Sequence, residues 1–163
     1  VLFHVRNKWY HNWLKALMHN DRWGNPSLKG VSTPFFLERS MLENGDLILV
    51  KDSSDIGQAI QESTGNYSHV AIFLDGFIYH ATTEGGVIVQ SPEDFFEAER
   101  IYDLYRYAEI DCTEVKKRAE SHLGAPYNAS FYPDGDGFYC SQFIADILPI
   151  FETILMKFGD EEE

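Results

Sequence analysis

Residues Ser68–Ala81 read SHVAIFLDGFIYHA, two apolar runs separated by Asp75-Gly76. Each run has strand length and is rich in β-branched and aromatic residues. Asp-Gly readily adopts the two positive φ angles of a tight hairpin turn. The stretch therefore predicts an antiparallel hairpin in which residue i faces a residue near 151 − i, so that Val70 or Ala71 faces His80. His69 and His80 become close neighbours across the two strands.

Working outward, Gly45 precedes Asp46–Val50, a third apolar run of strand length. Ser54 or Asp55 can cap a helix over Ile56–Glu62 that ends near Gly65. Beyond the hairpin, Gly85-Gly86 turns the chain into a strand at Val87–Val89. Ser91-Pro92 with Asp94 predicts a capped helix through Ala98, and Ile101–Tyr107 another strand. Asp111, with Glu114 three residues on, caps a helix to about Leu123, stopped by Gly124 and Pro126. A Gly-, Pro- and Asp-rich loop, Ala125–Gly137, leads into a helix at Tyr139–Leu148 with Phe143, Ile144, Ile147 and Leu148 on one face. Antiparallel strands flanked by helices make an α+β domain.

Charge divides the 163 residues. Residues 1–40 carry six basic and two acidic side chains, whereas residues 41–163 carry seven basic and twenty-four acidic ones. All three tryptophans lie in the first part. We read residues 1–40 as an N-terminal appendage of uncertain origin, and 41–163 as the domain proper, with a missing C-terminal piece after the acidic run Asp160–Glu163 left as an alternative. The formal charge of −13 repels phosphate backbones and offers no basic patch for anionic lipid, so nucleic acid is not an expected partner. No apolar run reaches the roughly 18 residues of a membrane span. The opening residues lack the pattern of a secretory signal, and two cysteines make no disulfide framework, so the expectation is a cytoplasmic protein with free thiols.

Cys140 stands where the Gly-rich loop ends and a helix begins. Backbone N–H groups and the helix dipole at such a place favour an anion, which suits a nucleophilic thiolate and the oxyanion it creates. The plainer alternative is a buried helix cysteine. His69, at a strand end, is the candidate base, although an isolated histidine is more often satisfied by a hydrogen bond alone. His80 is placed to orient it, and Glu84, in the following turn, is the competing orienter. Zinc is a rival use of His69, His80 and Cys140, but no C-x-x-C or H-x-x-x-H spacing supports it. The other histidines, His122 among them, read as surface residues. Cys112, beside Asp111 and Glu114, is disfavoured as a thiolate.

Five motifs in order, Gly45–Ile48, Ser68–Phe73, Tyr79–Ala81, Gly124–Asn128 and Phe138–Ile144, resemble the permuted NlpC-type papain-like cysteine hydrolases, with the YiiX/YebB-like branch nearest. The resemblance covers about Met41–Leu148. It implies a circularly permuted papain-like fold in which the histidine precedes the cysteine, with Cys140 as nucleophile, His69 as base and His80 as the third polar residue. Near relatives often carry glutamate at the last position, and a histidine there is similar to the lecithin retinol acyltransferase-like branch. Tyr127 would line the substrate cleft, with Ser68 and Tyr139, the chain neighbours of His69 and Cys140, beside it. Gln142 stands where relatives often carry glutamate. The implied activity is cleavage of amide bonds in peptides or peptidoglycan-like substrates, without a cofactor. An acyltransferase or thioesterase and a non-catalytic binding module are the alternatives within the fold.

Overall fold

The computed structural model describes residues 42–51, 67–97, 100–106, 110–130, 132 and 134–148. The predicted helix at Ile56–Glu62, the appendage 1–40 and the C-terminal residues 149–163 lie outside them. Five strands form one sheet: β1 (Leu47–Lys51), β2 (His69–Leu74), β3 (Phe77–Thr82), β4 (Gly86–Gln90) and β5 (Ile101–Tyr105). Their order across the sheet is β4-β3-β2-β1-β5, with every pairing antiparallel.

The hairpin has the register its turn dictates. Ile72 pairs with Tyr79, Phe73 with Ile78 and Leu74 with Phe77, so paired residues sum to 151. Asp75 and Gly76 take φ angles of 51° and 89°, the positive values a two-residue turn between twisted strands requires.

Alternation then sorts the strands onto two faces. On one face Leu47, Leu49, Val70, Ile72, Leu74, Tyr79 and Ala81 pack with two helices, α2 (Cys112–Ser121) and α3 (Cys140–Ile147). From α3 come Phe143, Ile144 and Ile147, all fully buried, together with Leu148 just beyond its end. On the other face Ile48, Val50, Ala71, Phe73 and Ile78 pack beneath Phe95 and Phe96, with Tyr102 and Leu104 of β5 alongside. Phe95 belongs to the short helix α1 (Pro92–Phe95).

Among the described residues, the caps predicted at Ser91 and Asp111 are present. Ser91 Oγ accepts the Asp94 N–H at 3.1 Å. Asp111 Oδ1 accepts from Thr113 and Glu114 N–H at 3.1 and 3.2 Å, satisfying donors the helix itself leaves open. α1 is shorter than expected, ending at Phe95 rather than Ala98, because Phe96 turns inward onto Tyr102 with ring centroids 4.9 Å apart. β5 likewise ends at Tyr105, where Arg106 leaves the ladder to hold Asp46 by two hydrogen bonds of 2.6 and 2.7 Å. Asp46 is fully buried, so this bidentate pair is what permits its charge inside.

Candidate active site

The two hairpin histidines meet as the register demands. His69 Nε2 lies 2.8 Å from His80 Nδ1, and the rings are edge-on with centroids 5.1 Å apart. His80 is buried, braced by the Phe95 ring at 5.1 Å. Its other nitrogen, Nε2, is 2.7 Å from Gln90 Oε1. Burial pushes both imidazoles toward the neutral form, His80 to about 4 and His69 well below its ordinary range. The positive charge of Arg100 acts in the same direction on both. A neutral, hydrogen-bonded imidazole is the form in which histidine accepts a proton.

Glu84, the competing orienter, sits exposed in the β3–β4 turn, whereas His80 is in direct contact with His69. Among the described residues no three His, Cys, Asp or Glu side chains converge on a metal position.

Cys140 opens α3, as the sequence predicts, and is buried. The loop before it is clasped tightly. Gly124 and Ala125 bond to Val87 on β4 (Gly124 N–H to Val87 O and Val87 N–H to Ala125 O, each 2.9 Å). A Cβ on Gly86 would run into Ala125 O, and one on Gly137 into Pro126 O, so glycine at both places lets the segment lie flat between them. Asn128, also buried, reaches across the loop with Nδ2 bonded to Tyr132 O at 2.7 Å and to Gln142 Oε1 at 3.1 Å. Gln142 Oε1 in turn accepts the Tyr139 N–H at 3.3 Å. Gln142 is thus a clamp between the loop and the start of α3.

The clasp brings Tyr127 and Tyr139 close to the sulfur. Burial pushes both phenols up, Tyr139 to about 12, and negative charge at Cys140 adds to the effect. Ser68 instead turns to the backbone, its Oγ donating to Val50 O at 3.2 Å.

Residues 41–160 match the family of permuted papain-like amidases, YaeF/YiiX, C92. The chain belongs to that family. Neither the curated proteins nor the solved structures returned a match. The five-stranded antiparallel sheet with its flanking helices is accordingly the α+β core of the permuted papain-like fold. Among its described residues no helix is long and apolar enough to cross a membrane.

The structure thus joins His69 to His80 on the α1 face, and gathers Cys140, Tyr127 and Tyr139 on the α3 face. Sequence reasoning missed Gln90 and Arg100 of the first group. A glutamine closing a strand and an arginine in a loop carry no pattern of their own. His122, expected at the surface, is half-buried and lies 2.6 Å from Asp146 of α3, with its ring on Phe138 at 4.5 Å. That contact spans helices distant in the chain, which local context cannot foretell. Cys112 behaves as expected: burial and the Asp111 charge raise its thiol, and its Sγ is 3.3 Å from Asn44 O.

Proposed function

We propose that the domain is a cysteine amidase in which Cys140 is the nucleophile, His69 the general base and His80 the residue that orients it. The observation that carries this reading is the 2.8 Å contact between buried His80 and half-buried His69, both pushed toward the neutral form, in a chain whose family is one of papain-like amidases. His69 takes the thiol proton, and the sulfur attacks the amide carbonyl. The backbone N–H groups that open α3 receive the oxyanion. The same imidazole returns the proton to the leaving amine, and water then releases the acyl group from sulfur.

The reading requires Cys140 and His69 to meet where β2 begins, between the two faces on which they are packed. Cys140 shares its apolar cluster with Tyr67 and Val70, which bracket Ser68-His69 in the chain, and this supports such a meeting. Tyr127 and Tyr139 form the wall of the cleft. The substrate is an amide in a peptide or peptidoglycan-like molecule.

Iodoacetamide labelling from about pH 5 to 9, with each thiol mapped, tests the assignment. Cys140 is expected to react at the acid end while Cys112 lags, and His69→Ala to slow Cys140 near neutrality. Equal, slow labelling of both thiols overturns the nucleophile. A panel of peptide amides, peptidoglycan fragments and acyl esters then sorts amidase from acyl transfer, since hydrolysis of esters alone overturns the amide assignment.

A further inference from the structure

Gln90 ends β4 and is held from two sides. Ile78 pairs with Gln90 and His80 with Ile88, so Gln90 sits diagonally from His80 on the same face of the sheet. Immediately after it, Ser91 caps α1, and that helix supplies the Phe95 ring that braces His80. Strand pairing on one side and a capped helix on the other hold the glutamine where its amide oxygen lies 2.7 Å from His80 Nε2.

An amide oxygen only accepts hydrogen bonds. His80 Nε2 must therefore carry the ring's proton, which leaves Nδ1 as an acceptor. His69 Nε2, 2.8 Å away, must then donate, so its own proton is on Nε2. Its Nδ1 is left with a lone pair. Were the amide turned over, its NH2 would donate to His80 and the chain of donors would reverse. His69 Nδ1 would then hold a proton and could not act as a base. Which nitrogen of a histidine is protonated is set by the bond the other makes, and here that logic passes through two rings.

We infer that Gln90 is a positioning residue: by accepting the Nε2–H of His80 it fixes the tautomers of both histidines and makes Nδ1 of His69 the proton acceptor. The inference rests on the proposed role of His69, but the tautomers can be read without reference to Cys140.

The test uses the full chain labelled with 15N-histidine, the long-range 1H–15N spectrum being recorded near neutral pH. Both His69 and His80 are expected as Nε2–H tautomers. Gln90→Leu should give mixed tautomers at both rings and slow iodoacetamide alkylation of Cys140 by about tenfold or more, the scale of a misplaced general base. Gln90→Glu, which can only accept, should restore the tautomers and most of the rate. Its carboxylate should also favour the His80 cation and move the acid limb of the alkylation profile to higher pH. An Nδ1–H tautomer at His69 in the native chain, or tautomers indifferent to Gln90→Leu, would overturn the inference. If Gln90→Leu fails to fold, an unshifted acid limb in Gln90→Glu overturns it instead. Tautomers that shift as expected while Cys140 reactivity stays constant uphold Gln90's control of the rings and sink the His69–Cys140 partnership.

Discussion

The two faces of the sheet do different work with the same strands. On the α3 face the fully buried positions of β1 and β2, Leu47, Leu49, Val70, Ile72 and Leu74, are all aliphatic, and Phe143, Ile144 and Ile147 close over them. On the α1 face the same alternation delivers His69 and His80 among Ala71, Ile78 and Phe95. The dry face stabilises, because burying aliphatic area is worth roughly 25 cal/mol per Å². The face with the histidines gives up some of that in exchange for polar groups held in one geometry. Substitutions at the aliphatic positions of the first should therefore change stability, and those at the histidines of the second should change proton chemistry.

The largest expected effect is on the dry face. Ile144→Ala removes a fully buried side chain and should cost about 2–5 kcal/mol in denaturant unfolding, leaving the histidine tautomers unaltered. A loss well under 1 kcal/mol would show that α3 is not the main cover of that face.

Next comes acid. Folding depresses the His80 pKa to about 4, so the unfolded chain binds the proton more readily. The stability this neutral histidine contributes is full above about pH 6.5 and is lost as pH falls toward 4, amounting to about 3 kcal/mol at most. His69, also depressed by burial, adds to the loss as pH falls. Unfolding midpoints measured from neutral to acid pH should show this slope, and His80→Asn should flatten it. A slope unchanged in that variant would place the acid sensitivity elsewhere.

Gly137→Ala sharpens the comparison, because it strikes the loop that brings Tyr127 to Cys140 rather than either face. Gly137 has φ 80° and no room for a Cβ against Pro126 O. The expected cost is about 1–3 kcal/mol, with slower alkylation of Cys140. Normal stability and normal alkylation together would mean that the loop tolerates another path.

The smallest of these effects belongs to a cap remote from both faces. Asp111→Ala should cost about 1 kcal/mol, seen as a small shift in the unfolding midpoint, with Cys140 alkylation unchanged.

Local chemistry determined much of this protein before any coordinates. Asp75-Gly76 sets a two-residue turn, and a two-residue turn sets a register, so the proximity of His69 and His80 was readable from spacing alone. Ser91 and Asp111 declared their helices because capping involves residues two or three apart. The order of five short motifs carried the family, and with it the candidate pair of Cys140 and His69.

Tertiary structure decided what spacing cannot encode. Tyr67 donates to Asp103 at 2.5 Å across 36 residues of chain, and Arg106 grips Asp46 across 60. Gln90 reaches His80 only because β4 pairs beside β3, and Gln142 meets Asn128 only because the loop folds back on α3. Such contacts arise from the order of strands and the packing of helices, where a polar side chain taken from water must find whichever partner the fold brings to it.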